Sequence, residues 1–318
     1  MKAIRIDRHG GPEVLQLQQQ PEPRPGSGEI LVRIKAAAVN PADIYQREGI
    51  YGYSAEFPFT PGMEGAGVVE AVGPEVSHVK PGQAVYCLGS LTGTYAEAAL
   101  VTAYQTVPLP HGVSFEQGAC IFVSYTTAHL ALFGRGNAKS GETVLIHGAS
   151  GGVGLAATQL ASHAGLNVIG TARTHEGREL IQAQGAALAT NHQDTDAIME
   201  YTQGRGVDLI VEMLAGQNLA MDLELLSRSG RVMVVGSRQS AAIDPRALMQ
   251  NNADIRGIML LHMPLSAMLD VQEKLRSFFE QTPFKPVIAE TFPMEQAAQA
   301  QKKVMRGPAH GRIVLRNL

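Results

Sequence analysis

Seven residues, Gly148-Ala149-Ser150-Gly151-Gly152-Val153-Gly154, carry the clearest chemistry in the chain. They follow Thr143-Val144-Leu145-Ile146-His147, a β-branched apolar run that reads as a buried strand. They precede Leu155-Ala156-Ala157-Thr158-Gln159-Leu160-Ala161, which reads as a helix. Between a strand and a helix, such a run binds a dinucleotide. The glycines let the backbone approach a pyrophosphate, and the helix N-terminus offers N–H groups and the positive end of its dipole. Ala149 replaces the first glycine of the usual G-x-G-x-x-G pattern, whereas Gly151 and Gly154 keep their places.

The next strand signal, Asn167-Val168-Ile169-Gly170-Thr171-Ala172, sharpens the choice of dinucleotide. An NAD site places an Asp or Glu near the end of this strand, about 20 residues past the glycines, to grip the ribose 2′-hydroxyl. Here that place holds Arg173, with Thr171 and Thr174 beside it. A carboxylate repels a 2′-phosphate, whereas a guanidinium and hydroxyls bind it. The residues favour NADPH over NADH; a solvated surface arginine is the plain alternative.

Those groups need a frame. At 318 residues the chain exceeds one typical domain, so two are expected, and 45% hydrophobic content supplies their cores. Net charge is -3 with no block of Lys and Arg, which argues against a nucleic-acid or membrane surface. The N-terminal residues alternate like a strand rather than forming a signal-peptide core, and no apolar run reaches membrane-spanning length. Cys87 and Cys120 are the two cysteines, which fits small buried side chains in a reducing, cytoplasmic compartment rather than a disulfide framework.

Residues 1 to about 125 are dense in short strands and turns, as in a β-rich, barrel-like domain. Residues 115–133 read as helical. Strands are expected near 143–147, 167–171, 187–190, 208–211, 231–235 and 255–261, with helices between. Six strands alternating with helices imply a doubly wound parallel sheet in an α/β protein. A helix near 265–280 follows, and strands near 285–288 and 311–315 are expected to return to the first domain.

The glycine run, Glu212-Met213-Leu214-Ala215 and the segment from Leu226 to Arg238 resemble the medium-chain dehydrogenase/reductase superfamily. The chain is more narrowly similar to the zeta-crystallin-type quinone oxidoreductases. That likeness rests on Gly10-Gly11-Pro12-Glu13-Val14-Leu15, Val39-Asn40-Pro41-Ala42-Asp43-Ile44-Tyr45, Thr60-Pro61-Gly62-Met63-Glu64-Gly65-Ala66-Gly67 and His310-Gly311-Arg312-Ile313-Val314-Leu315. These motifs follow the family order over nearly the whole chain. The resemblance implies a GroES-like β-rich catalytic domain, residues 1–125 and 263–318. It also implies a Rossmann NADPH-binding domain, residues 126–262, with substrate in the cleft between them.

The resemblance also sets a test for zinc. Zinc-dependent relatives carry Cys where this chain has Asn40, and Gly-His-Glu where it has Gly62-Met63-Glu64. Neither an asparagine nor a thioether is a usual zinc ligand, and Cys120 alone does not hold a catalytic site, so no metal is expected. Without zinc, hydrogen-bond donors must polarise the acceptor oxygen. Asn40, Asp43, Tyr45 and Tyr51 form the best cluster, and matching positions in the family line the cleft beside the nicotinamide. A tyrosine hydroxyl keeps its proton at neutral pH and donates. Asn40 could donate its amide to a carbonyl oxygen. Asp43 orients its neighbours or caps a helix, since Asp43 to Gln46 could start one.

Further contacts follow from the resemblance. Ser150, Gly151, Gly152 and Val153 should meet the pyrophosphate. Arg173 and His192 should face the adenosine phosphate, with an exposed loop histidine as the alternative for His192. Asn218 and the turn Val235-Gly236-Ser237-Arg238 should flank the ribose and nicotinamide, with Thr127 and Tyr45 on the nicotinamide side. The expected activity is NADPH-dependent, zinc-free reduction of quinones. An enone or enoyl C=C reductase is the nearest rival, and a non-catalytic structural or RNA-binding protein is a rival of another class. Asp254 to Leu261 has the look of an apolar edge strand, consistent with a homodimer.

Overall fold

The computed structural model describes residues 1–307 and 310–317 of the chain. Two units emerge. The first takes residues 1–123 and 272–307 and the C-terminal strand from Arg312, and the second takes residues 124–271 with His310 and Gly311. The expected second boundary, at 263, moves into the helix Leu265–Gln281. That helix runs unbroken from one unit into the other. Its C-terminal half buries Leu275, Phe278 and Phe279, and Gln272 accepts a hydrogen bond from the Tyr86 hydroxyl at 3.0 Å. Gly311 joins the second unit because its N–H donates to the Ser150 carbonyl at 2.9 Å. Pro308, Ala309 and Leu318, assigned above to the first domain, lie outside the described residues.

In chain order the first seven strands are β1 (Lys2–Arg5), β2 (Gln16–Gln19), β3 (Glu29–Ala38), β4 (Gly65–Val72), β5 (Ala84–Cys87), β6 (Ala98–Thr102) and β7 (Thr106–Pro108). The second unit contributes β8 (Thr143–Ile146), β9 (Asn167–Thr171), β10 (Leu188–Thr190), β11 (Val207–Glu212), β12 (Leu226–Val234) and β13 (Asp254–Gly257). The chain then adds β14 (Ile288–Pro293) and β15 (Arg312–Arg316) to the first unit.

The first unit is built on a mostly antiparallel sheet of order β14-β15-β3-β4-β5-β7, with β6 also paired to β3 and β1 paired to β2. Alternation sets one face of β3: Ile30, Val32 and Ile34 share a core with Val69, Val85 and Leu315. Helix α1 (Pro41–Glu48) follows β3 directly. Its boundaries are locally encoded, by Pro41 in the first turn and by Gly49 as a left-handed C-cap at φ 68°.

In the second unit the six strands run in the order β10-β9-β8-β11-β12-β13, and every pair is parallel. This is the doubly wound Rossmann order, whose strand ends at β8 and β11 form the switch point where dinucleotides bind. Its core joins Leu145, Ile169, Ile210 and Val232 to Leu223 of the helix Ala215–Leu225.

Two expected strands differ in extent. β13 stops at Gly257, so Ile258 and Met259 lie beyond it and Leu260–His262 is a 3₁₀ turn, although the Ile258 N–H still donates to the Val234 carbonyl at 3.0 Å. The strand expected at 285–288 starts only at Ile288. Pro286 supplies no N–H for the ladder. The 115–133 stretch is helical but uneven, with wide π-type turns at Phe122–Thr126 and Leu130–Gly134. Thr127 sits buried between them. Among the described residues no helix is long and apolar enough to cross a membrane.

Candidate active site

The glycine turn closes β8 as the strand-turn-helix pattern requires. Gly148 takes a left-handed conformation at φ 60°, and the Gly151 N–H folds back onto its carbonyl at 3.0 Å. Gly151 is the N-cap of the helix Gly152–His163 and brings no side chain to cap it. The first-turn amides therefore remain for an anion. A Cβ on Gly154 would lie 2.5 Å from the Gly148 carbonyl oxygen and 2.6 Å from the Ala149 Cα, so only glycine lets the helix approach the turn. Ala149 is fully buried, and its methyl faces Gly170, where an added Cβ would come within 3.0 Å of it. The glycine missing from position 149 is thus matched by one on β9.

At the end of β9, Arg173 is exposed. The two hydroxyls beside it are not available as expected. Thr171 is fully buried, with its Oγ1 2.8 Å from His192 Nδ1 and 3.2 Å from His147 Nδ1. Thr174 caps the helix His175–Ala183, accepting from the Gly177 N–H at 3.1 Å, and its Oγ1 also meets His310 Nε2 at 2.8 Å. The guanidinium is left as the group of this trio that can reach a phosphate.

His192 is partly buried in the loop after β10, stacked on His147 with ring centroids 6.0 Å apart. Asn218 Nδ2 donates to both Glu212 oxygens, at 3.1 and 3.2 Å. Beyond β12, the Val235 N–H donates to the Glu212 carbonyl at 2.9 Å, and a Cβ on Gly236 would lie 2.7 Å from the Met213 carbonyl oxygen. Ser237 Oγ accepts from the Gly216 N–H at 3.0 Å and donates to the Gln239 carbonyl at 2.7 Å, while Arg238 is exposed. Ser150, Gly151, Gly152, Val153, His192, Asn218 and the 235–238 turn all sit where the parallel strands of this unit end.

In the first unit the four expected polar residues separate into two pairs. Asn40 and Asp43 are fully buried and form the capping box that starts α1. Asp43 Oδ2 accepts from the Asn40 N–H at 2.8 Å and from the Tyr95 hydroxyl at 3.2 Å, and its Oδ1 accepts from the Met63 N–H at 3.0 Å. Burial pushes the Asp43 carboxyl up to about 6 against those donors. Asn40 Nδ2 donates to Glu64 Oε1 at 3.2 Å, and its Oδ1 accepts from Arg312 Nη2 at 2.8 Å. Both Asn40 side-chain groups have internal partners and no exposure. The expectation that Asn40 donates to an acceptor oxygen is corrected to a positioning role beneath α1.

Tyr45 and Tyr51 form the accessible pair. Tyr45 is partly exposed on α1, and Tyr51 is 54% exposed and packs edge-on against it, ring centroids 4.9 Å apart. Tyr51 holds φ 56°, a left-handed conformation that is costly for an aromatic residue. Tyr53, which sequence reasoning passed over, packs 5.9 Å from Tyr45, and burial raises its hydroxyl, helped by Tyr45 and Asp43. Three tyrosines within nine residues were the signal available for it.

Two family models match the chain: "Alcohol dehydrogenase GroES-like domain" over residues 26–111 and "Zinc-binding dehydrogenase" over residues 152–274. A quinone oxidoreductase of Rattus norvegicus is 42% identical over 320 residues, covering 99% of this chain and 97% of the relative. The chain belongs to the zeta-crystallin-like quinone oxidoreductase family. Among solved structures, an NAD-dependent alcohol dehydrogenase superposes with TM-score 0.94 at 27% identity, with full coverage of both chains. A mycobacterial protein complexed with NADPH superposes with TM-score 0.90 at 30% identity, also with full coverage of both.

The zinc in the name of the second family model does not fit this member's residues. Asn40 and Met63 replace two ligands. Burial pushes the Cys120 thiol up to about 12, which keeps it from the thiolate form a metal takes. Glu64, the remaining acid, is fully buried and already holds Arg312 Nη2 at 2.6 Å and the Val123 N–H at 2.8 Å. Burial nevertheless pushes its carboxyl up to about 7. The cation beside Glu64 in this chain is the Arg312 guanidinium.

A second buried cluster escaped the sequence altogether. His147, Glu212 and Asp222 come from the ends of β8 and β11 and from the helix Ala215–Leu225. One nitrogen or oxygen from each lies within 4.8 Å of the others, a grouping that 75 residues of separation hide. Burial lowers His147 and raises both carboxyls above their usual range.

Proposed function

We propose that this chain is a zinc-free reductase that oxidises NADPH and reduces quinones. The observation that carries the cofactor choice is Arg173, exposed at the end of β9 where an NAD site has a carboxylate. It outweighs the likeness to an NAD-dependent structure, because a guanidinium attracts a 2′-phosphate and offers a ribose hydroxyl no acceptor. Full-length similarity to quinone oxidoreductases supports the acceptor class.

When bound, the dihydronicotinamide supplies the hydride. The chain's own residues do the rest. The amides after Gly151 and the uncapped helix N-terminus hold the pyrophosphate, and Arg173 pairs with the 2′-phosphate. Asn218 and the turn 235–238 border the ribose and nicotinamide, and Thr127 lies on the nicotinamide side. The Tyr45 and Tyr51 hydroxyls donate to the quinone oxygen on which negative charge develops. Asn40 and Asp43 hold the start of α1 in place, so that Tyr45 projects from a fixed helix.

Initial rates with NADPH against 1,4-quinones and α,β-unsaturated ketones test the acceptor class. Faster turnover of quinones supports this reading, and preference for enones reassigns the same site to C=C reduction. We also propose a homodimer through β13, which pairs only with β12 among the described strands, with exposed Met259 and Leu261 just beyond it. Light scattering should give about twice 33.9 kDa, and a monomer mass contradicts it. Two buried free thiols fit a cytoplasmic setting.

A further inference from the structure

Five elements of the Rossmann unit meet in a buried chain of polar side chains that the proposed reaction leaves unused. His192 Nδ1, in the loop after β10, lies 2.8 Å from Thr171 Oγ1 on β9. Thr171 Oγ1 lies 3.2 Å from His147 Nδ1 at the end of β8, and His147 Nε2 lies 2.9 Å from Asp222 Oδ1. Beside Asp222 stands Glu212 of β11, which accepts from Asn218 Nδ2 and the Leu214 N–H. Thr171, His147, Asp222 and Glu212 are each 0 or 1% exposed, whereas His192 reaches the surface in part. Asp222 Oδ2 has no donor in reach.

A neutral imidazole has one N–H, so this chain has two registers. In the first, Asp222 is ionised and accepts from His147 Nε2–H. His147 Nδ1 accepts from the Thr171 hydroxyl, which accepts from His192 Nδ1–H, and His192 Nε2 is a bare lone pair. In the second, the Asp222 carboxyl donates to His147 Nε2. His147 Nδ1–H donates to Thr171, Thr171 donates to His192 Nδ1, and His192 Nε2 carries the N–H. The registers differ by one proton. Taken up at His192 Nε2, it releases the Nδ1 proton to Thr171. The Thr171 proton passes to His147 Nδ1, and the His147 Nε2 proton passes to Asp222.

We propose that His147, Thr171 and Asp222 form a proton relay that holds an N–H on His192 toward an adenosine 2′-phosphate and so sharpens the preference for NADPH. This rests on the reading that His192 faces that phosphate. The relay solves an electrostatic problem. The groups facing His192 are His147 and Arg173, and both of them, with burial, disfavour an imidazolium there. In the second register no imidazolium is needed. The added proton resides on Asp222, where burial favours the neutral acid. A donor is thus presented to the phosphate at neutral pH.

The test is the ratio of kcat/KM for NADPH to that for NADH, measured from pH 5.5 to 8.5 with one quinone. The titration of the 2′-phosphate itself is common to all variants and drops out of their comparison. In the wild type the ratio should hold to about pH 7 and then fall. Thr171→Val breaks the chain and should move that fall at least about one pH unit lower. Asp222→Asn puts an amide donor on His147 Nε2 where the neutral acid stood, which fixes the second register, so its ratio should no longer fall above about pH 7. Thr171→Ser should restore the wild-type profile. If Thr171→Val does not fold, Asp222→Asn carries the test. Wild-type profiles in Thr171→Val or Asp222→Asn overturn the relay. His192→Ala separates the underlying reading: an undiminished ratio overturns the placement of His192 itself. A divalent metal retained by the purified protein and lost in Asp222→Asn makes the cluster a metal site instead, and also overturns the relay.

Discussion

Replacing Arg312 with methionine probes the ion pair that stands where zinc-dependent relatives are expected to keep their metal. Arg312→Met strips Glu64 of a 2.6 Å charge-assisted bond and Asn40 of a 2.8 Å one, both fully buried. Breaking a buried pair from one side costs about 3–5 kcal/mol, because the partner charge is stranded. The cost depends on pH, because a stranded carboxyl can keep its proton instead. With Arg312 in place Glu64 is already pushed up to about 7, and without it the folded-state value rises further. The unfolded value is the same in both proteins. Above about pH 7 the variant's native state therefore binds more protons than the wild-type native state. Its extra destabilisation grows as pH rises through that window, by about 1.4 kcal/mol per unit. At pH 6 both native states hold the proton, and the loss should be the hydrogen bonds alone, about 1–2 kcal/mol. At pH 9 it should reach about 3–5 kcal/mol. Urea unfolding at the two pH values measures this. The double variant Glu64→Gln, Arg312→Met should lose the pH dependence and recover most of the pH 9 deficit. Equal losses at pH 6 and pH 9 in Arg312→Met refute the reasoning.

Other consequences follow from single positions. Gly154→Ala puts a methyl 2.5 Å from the Gly148 carbonyl oxygen, so it should cost about 1–3 kcal/mol of stability and weaken NADPH binding more than about tenfold in a fluorescence titration. Arg173→Ala should raise the KM for NADPH by roughly 10- to 100-fold and the KM for NADH far less, since a hydrogen bond to a charged group is worth about 1.5–3 kcal/mol. Similar changes for both cofactors place Arg173 outside the phosphate site. Tyr45→Phe should lower kcat with quinones by about 10²-fold without altering NADPH affinity, as removal of an oxyanion donor does. A KM effect with an intact kcat assigns Tyr45 to packing instead.

What the sequence made legible was local. The glycine turn, Arg173 and the parallel strands are contiguous signals, because a Rossmann unit builds its phosphate site from one turn between one strand and one helix. The capping box at Asn40 and Asp43 is equally local, and Asp43 was foreseen as a possible cap. What stayed hidden depends on distant residues. Arg312 lies 272 residues from Asn40 and 248 from Glu64, and its pairing reassigns Asn40 from a donor toward substrate to a support for α1. Thr171 read as a phosphate-binding hydroxyl because strand alternation does not say which face meets His147. The boundary at Gln272 was illegible for a different reason. A continuous helix carries no break signal where its contacts change from one unit to the other.

The most direct test of the central claim is the initial rate of quinone reduction with NADPH and with NADH, before and after exhaustive treatment with a chelator. The account predicts strong preference for NADPH and a rate untouched by chelation. Preference for NADH, or a rate that chelation abolishes and zinc restores, contradicts it.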